Sequence, residues 1–306
     1  MPIIDLHCDT IDRLYNDKTN LAANNYHIDL QKLKVGQYLA QWFALYLDMK
    51  AVKEPFLDYV RKMHTYFLQE VEKNKDEIGL ATDYKTYCDL KKQGKIAGFL
   101  SLEEGAPVGD TVEGLETLWQ MGIRMMTFTW NHPNQLGAPH HIDEGLTPFG
   151  KEVADRLNTY KMLLDISHLS ERGVKDLAAI YKKPIMASHC NAYSIQPHSR
   201  NLSDEIIRLI ANTGGVIGVN FYSVFLNGQD ESLIEDIIRH IHHFYKVGGK
   251  DILAIGTDFD GMDCKLEVCN ASKMDKLVTR LSKEYAMDIV DAITYGNAER
   301  LIKENL

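Results

Sequence analysis

Five short apolar runs in this chain each end in a side chain that can bind a metal or move a proton. Ile3-Ile4-Asp5-Leu6 leads into His7-Cys8-Asp9, and the run from Ile96 to Leu102 leads into Glu103 and Glu104. Met162 to Ser167 leads to His168, Pro184 to Ser188 leads to His189, and Ile252 to Thr257 leads to Asp258. Imidazole and carboxylate without thiolate form a donor set for zinc, with manganese, cobalt or iron as replacements. Two histidines, a His-x-Asp pair and a carboxylate between them suffice for two ions that share one bridging ligand. Held roughly 3.5–4 Å apart, such ions carry a hydroxide between them and polarise a scissile carbonyl. Taken singly, each motif has a plainer reading. A strand histidine is commonly a hydrogen-bonded core residue, Glu103-Glu104 suits a solvated loop start, and Asp258-Phe259-Asp260-Gly261 suits a turn. Their joint placement at the downstream ends of buried strands is what argues for one shared site.

Ligands repeated at strand ends are how a parallel β/α barrel builds a site on its C-terminal rim. Strand-like runs fall at 3–9, 38–46, 96–103, 123–129, 162–167, 184–189, 215–221 and 252–258. Helical signals fill most of the gaps. Thr82 can cap a helix that stops at Gly94, and Ser203 can cap one with Asp204 and Glu205 in its first turn and Gly214 beyond its end. Leu233, Ile237, Ile241 and Phe244 recur at helical spacing within 231–247, and 51–75 is amphipathic. Eight such units predict an α/β fold, a single (β/α)8 TIM-type barrel over residues 1–306 with a metal site at the C-terminal ends of its strands. A doubly wound open sheet is the competing fold, but it would gather ligands at one crevice instead of around a ring. Alternation predicts that His7 and Asp9 share a face. It also predicts Leu164 and Ile166 beneath His168, and Ile185 and Ala187 beneath His189, deep in the barrel.

The bulk properties are those of an ordinary globular chain, with 306 residues, 45% hydrophobic and 25% charged. A net charge of -9 disfavours a nucleic-acid partner, which would want a basic stripe. No run approaches the roughly 18 apolar residues of a membrane span, and with His7 a candidate ligand so near the start no secretory leader is expected. Cys8, Cys88, Cys190, Cys264 and Cys269 are odd in number and form no C-x-x-C pair, so reduced thiols and a cytoplasmic location are expected.

Several segments resemble the membrane dipeptidase (renal dipeptidase) family, in order and over nearly the whole chain. They are His7-Cys8-Asp9, Leu102-Glu103-Glu104-Gly105, Asp165-Ile166-Ser167-His168, Ser188-His189-Cys190-Asn191-Ala192-Tyr193-Ser194 and Gly256-Thr257-Asp258-Phe259-Asp260-Gly261. Leu146 to Gly150, Ser199 to Leu202 and Val219 to Tyr222 add to the likeness. The resemblance implies a binuclear zinc dipeptidase of the soluble microbial type, acting on L-L and L-D dipeptides through a metal-held hydroxide. Two zinc ions per chain would then be held by His7, Asp9 and bridging Glu103 on one side, and by Glu103, His168 and His189 on the other. Glu104 stays open as an alternative bridge. Asp258 is implied as the group that passes a proton to the leaving amine, and Arg200 as the grip on the substrate's free carboxylate. A family histidine that stabilises the developing oxyanion is missing from Thr127-Phe128-Thr129-Trp130. His132 is left as the candidate for that role, and Trp130 as a pocket wall. The resemblance also allows a homodimer. Other two-metal hydrolases of amidohydrolase or phosphoesterase type compete, but they typically begin with His-x-His and bridge with a lysine that 123–129 does not contain. A catalytically inactive metal-binding homologue is the other alternative.

Overall fold

Short β-branched and aliphatic runs separated by amphipathic helices bury both faces by winding in parallel, either as an open doubly wound sheet or as a closed barrel. The computed structural model, which describes residues 1–306, takes the closed form. Its strands are β1 (Ile3–Cys8), β2 (Tyr38–Tyr46), β3 (Ile78–Leu80), β4 (Ile96–Glu103), β5 (Ile123–Thr127) and β6 (Leu163–Asp165). They continue with β7 (Ile185–Cys190), β8 (Ile217–Val219), β9 (Glu231–Ser232), β10 (Leu253–Ile255) and β11 (Lys265–Leu266). Parallel pairing runs β1–β2–β4–β5–β6–β7–β8–β10 and returns to β1, a closed eight-stranded (β/α)8 barrel. All eight ring strands lie within the runs read from sequence, apart from a one-residue extension of β7 to Cys190. The ninth strand of the sheet, β3, is three residues long and pairs with the upstream half of β4. That is too short to carry a periodicity.

The helices follow their capping chemistry. Asp83, and not Thr82, caps the helix Tyr84–Lys92 by accepting from the Thr86 amide. Ser203 caps Asp204–Asn212 by accepting from Ile206 N, and Gly214 follows at φ +77°, where a side chain would be strained. The amphipathic 51–75 stretch is helical over Phe56–Lys73. The 231–247 segment is helical only from Ile234, because Glu231–Ser232 pairs instead with β11.

The inside of the barrel is filled by Ile4, Leu6, Ala40, Trp42, Ala97, Phe99, Met125, Leu163, Met186 and Ala254. Leu301, Ile302 and Leu306 of the C-terminal helix join this cluster, and Lys161, just ahead of β6, donates to the Leu306 carbonyl. The helix therefore covers the N-terminal end of the barrel and leaves the opposite mouth to the polar residues. One expectation fails here. Leu164, Ile166, Ile185 and Ala187 pack outward against the helices, while Leu163 and Met186 point inward. The reason is that alternation is interrupted ahead of each ligand. Register shifts fall between Asp5 and Cys8 and between Ala187 and Cys190, and His168 sits beyond the end of β6 at φ +69°. Such irregularities re-aim a side chain.

Candidate metal centre and active site

Glu103 ends β4 and points into the mouth, where its two oxygens face different partners. Oε2 lies 3.4 Å from His7 Nε2, and that nitrogen is 3.3 Å from Asp9 Oδ2 and 3.9 Å from Asp258 Oδ1. Oε1 lies 2.9 Å from His168 Nε2 and 3.6 Å from His189 Nε2. Two groups of donors, His7-Asp9-Glu103 and Glu103-His168-His189, thus meet across one carboxylate, and all five residues are buried. Residues up to 182 positions apart along the chain converge because β1, β4, β6 and β7 present their downstream ends to the same rim. Glu104, the alternative bridge, is turned away at φ +91°. Its carboxylate accepts from the amides of Ala106 and Trp130 and from Asn134, so it organises the loops instead of facing the cluster.

The backbone around the site is strained where the sequence reads as ordinary. Of six non-glycine residues with positive φ, four are Glu104, His168, Asp258 and Asp260. Such conformations persist only where surrounding structure enforces them. Gly261 has the same importance for another reason: a Cβ there would lie 2.1 Å from Asp9 Oδ2 and 2.7 Å from Asp258 Oδ1. Only glycine lets the β10 loop approach the ligands this closely.

Electrostatically the site has two halves. Burial works against a charged His7, yet Glu103 and Asp9 outweigh it and hold its pKa well above the ordinary value. Burial pushes Asp9 up to about 6, with Glu103 adding to the shift. Burial also pushes Asp258 up to about 7; His7 opposes this, and Asp9 and Glu103 reinforce it. On the other side, burial drives His168 and His189 well below the ordinary value, and the positive charges of Arg200 and His7 add to this. Both are neutral imidazoles at pH 7, the form that ligates a cation.

The donors fit a pair of divalent cations. His168 Nδ1 is 3.0 Å from Asn131 Oδ1, and His189 Nδ1 is 2.7 Å from Ser188 Oγ. When both outer nitrogens donate, both Nε2 atoms carry lone pairs, and these face each other at 3.0 Å. Two bare lone pairs at that distance repel unless a positive centre accepts both. Asp9 Oδ1, buried and without a hydrogen-bond partner, is a further unspent donor atom. On the His7 side, the same carboxylates that would draw a proton to the imidazole would draw a cation.

Comparison with known proteins gives this arrangement its setting. The model of the membrane dipeptidase family, peptidase family M19, matches residues 1–305. The chain belongs to that family. It is 29% identical over 257 residues to an uncharacterized dipeptidase of Schizosaccharomyces pombe, a match covering 77% of this chain and 61% of that protein. The chain therefore spans less than two thirds of that relative's length. Among solved structures, a metallo peptidase from Rhodobacter sphaeroides, liganded with a phosphinate mimic of the dipeptide L-Ala-D-Ala, superposes with a TM-score of 0.94. It is 22% identical, with 100% of this chain and 99% of that one covered. The family M19 metallo peptidase dipeptidase AC gives a TM-score of 0.93 at 23% identity, covering 100% of this chain and 98% of that one. At these identities the likeness speaks for the barrel alone.

In this family M19 barrel the other residues singled out from sequence fall in different places. A cavity of about 370 Å³ opens over Glu103, Asp9, His168 and Asp258, with Trp130 and Tyr46 forming part of its wall. His132 is not brought to that wall. Its Nε2 faces Asp48 at 3.6 Å, and it is Asn131 that lines the cavity and touches His168. β5 ends at Thr127, two residues short of the 123–129 run, and from the loop that follows it is Asn131, not His132, that reaches the cavity. Arg200 lies in an adjoining cavity of about 240 Å³, and His168 borders both cavities. Its guanidinium donates to Cys190 Sγ and to the His189 carbonyl, and its Nε has no partner. Asn220, which donates to Asp258 Oδ2 at 2.9 Å, was missed, as were Asp12 and Arg13 at the cavity rim. Asn220 follows β8 directly and lies next to the last residue of the 215–221 run, so its position near a strand end was the available signal. No helix is long and apolar enough to cross a membrane, and all five cysteines are free.

Proposed function

We propose that the chain is a metal-dependent dipeptidase that acts as one catalytic domain over residues 1–306, with two zinc ions and a preference for small L-L and L-D dipeptides. The observation that carries the reading is the placement of the Glu103 carboxylate, with one oxygen toward His7 and the other toward His168 and His189. In this reading His7, Asp9 and Glu103 hold one ion, and Glu103, His168 and His189 hold the other. Bound there, such a pair supplies Lewis acidity that lowers the pKa of water and polarises the scissile carbonyl. The residues of the chain do the rest. Asp258, held by Asn220 at the edge of the cluster and lining the cavity, is placed to pass a proton to the leaving amine. Trp130 and Tyr46 wall the cavity and restrict water, and its volume of about 370 Å³ suits a molecule of dipeptide size. Arg200 is assigned the substrate's free carboxylate, for which its unpartnered Nε is an available donor. The phosphinate dipeptide mimic in the Rhodobacter sphaeroides relative supports a dipeptide as substrate. Five free thiols suit the reducing cytoplasm.

The test is metal content per chain measured beside hydrolysis of a matched L-L, L-D and C-terminally amidated dipeptide set, with a phosphodiester included. Two ions per chain and turnover of the free dipeptides are expected. A preparation replete with metal that cleaves the phosphodiester and none of the dipeptides would replace the reading with that of another two-metal hydrolase.

A further inference from the structure

Asp165 ends β6 and Ser188 lies in β7, and both are buried. The Asp165 carboxylate faces no cationic side chain and is satisfied by three donors. Oδ1 accepts from the amides of Ser167 and Ser188, both at 2.9 Å, and Oδ2 accepts from the Ser188 hydroxyl at 2.5 Å. An ionised carboxylate can only accept, so the single hydroxyl proton of Ser188 is committed to Asp165. That same oxygen lies 2.7 Å from His189 Nδ1. With its proton spent, it offers only a lone pair in that direction, and the ring must bring the hydrogen. His189 Nε2 is then bare and faces Glu103 Oε1 at 3.6 Å and His168 Nε2 at 3.0 Å.

We infer that Asp165 and Ser188 are positioning residues that fix the tautomer of His189, and through it the donor set of one cation site. The inference rests on the two-cation reading above. It is distinct from simple strand fastening, because the fold contains a control. Asp5 in β1 makes the equivalent bonds, accepting from His7 N, Thr257 N and the Thr257 hydroxyl at 3.3, 2.9 and 2.7 Å. Thr257 Oγ1, however, next meets the His7 carbonyl and the Phe259 amide, and no imidazole. The β6/β7 clamp alone continues onto a ring nitrogen. Partners behind a metal-ligating histidine set its tautomer and orientation in general, and their loss typically costs about 10–100-fold in metal affinity.

Asp165→Asn separates the two roles. Its Oδ1 can keep both amide bonds, but an NH2 group in place of Oδ2 donates to Ser188 Oγ. The Ser188 hydroxyl then turns its hydrogen toward His189 Nδ1, and the ring proton moves to Nε2, the atom needed for ligation. The full-length chain, stripped of metal with a chelator, would be titrated with zinc against a competing chromophoric chelator, and its imidazole nitrogens followed by NMR. Expected for Asp165→Asn is one ion bound as in the unmodified chain, the other weakened about 10–100-fold, and a change of His189 from the Nδ1–H to the Nε2–H form. Ser188→Ala, which removes the acceptor, weakens the same ion and leaves His189 a mixture of tautomers; it serves where Asp165→Asn does not fold. Two ions bound at unchanged affinity, with His189 still Nδ1–H in either variant, would overturn the inference. If the unmodified chain binds no zinc, the two-cation reading falls instead. The tautomer measurement, which needs no metal, still decides the relay.

Discussion

The mouth of the barrel is built twice from one device, with different results. Where β1 meets β10, Asp5 ties the two strands through Thr257; where β6 meets β7, Asp165 ties them through Ser188. Both carboxylates are buried, and both also accept from the amide two residues downstream, which stabilises the bend that re-aims the next ligand. The β1/β10 side then presents carboxylates, Asp9 and Asp258, whose pKa values burial raises to about 6 and about 7. The β6/β7 side presents imidazoles that burial holds neutral. One half is thus suited to holding or passing a proton as well as a cation. The other is suited to ligation alone. The lesson is that the backbone clamp and the electrostatic task are separable, and that Glu103, with an oxygen in each half, joins them.

The sharpest way to break this comparison is Asp258→Asn. It removes the proposed proton carrier from the carboxylate half while leaving the imidazole half intact, and kcat should fall by about 10²–10⁴-fold with metal content unchanged. Near-normal turnover would mean that the carboxylate half does no proton work. Gly261→Ala should come next. The added methyl displaces Asp9 and Asp258 together, and a shift of that kind costs on the order of 10²-fold in kcat/KM. Steady-state kinetics beside a melting curve would distinguish this from unfolding. Thr257→Val strips the hydroxyl from Asp5, leaving a buried carboxylate oxygen short of a partner at a cost of about 1–3 kcal/mol. Denaturant titration should show that loss while His189 keeps its tautomer, which sharpens the contrast between the two clamps.

A further effect appears only on acidification and belongs to the imidazole half. His240 accepts from the Ala192 amide just beyond β7 and donates to the Leu226 carbonyl, and burial pushes its pKa down to about 4. The folded state therefore keeps it neutral, while the unfolded chain takes up a proton below about 6.5. Its contribution is present above that value and fades as pH falls toward 4, by about 2 kcal/mol at pH 5. Denaturation at pH 7 and pH 5 should show a smaller difference for His240→Gln than for the unmodified chain. Equal differences would remove His240 as the source.

Much of this molecule was legible along the chain. The eight ring strands were visible because each is an apolar run bounded by turn residues, and the donors His7, Asp9, Glu103, His168, His189 and Asp258 were visible because each stands at the end of one. What could not be read was direction. Glu103 and Glu104 are chemically alike and adjacent, and only the turn to positive φ at Glu104 sends one to the cluster and the other to the loop amides. The same holds for His132 and Asn131, where the end of β5 decides which side chain reaches His168.

The sequence by itself therefore determined the repeating β/α architecture and the inventory of candidate donors, because hydrophobic periodicity and residue chemistry are local properties. Tertiary structure decided which donors share a carboxylate, which side chain stands behind His189 Nδ1, and where Arg200 lies. Those depend on register shifts and on hydrogen bonds between strands distant in sequence, such as Asp165 to Ser188 and Asp5 to Thr257. A one-residue slip reverses every side chain beyond it, and no local pattern records where such a slip occurs.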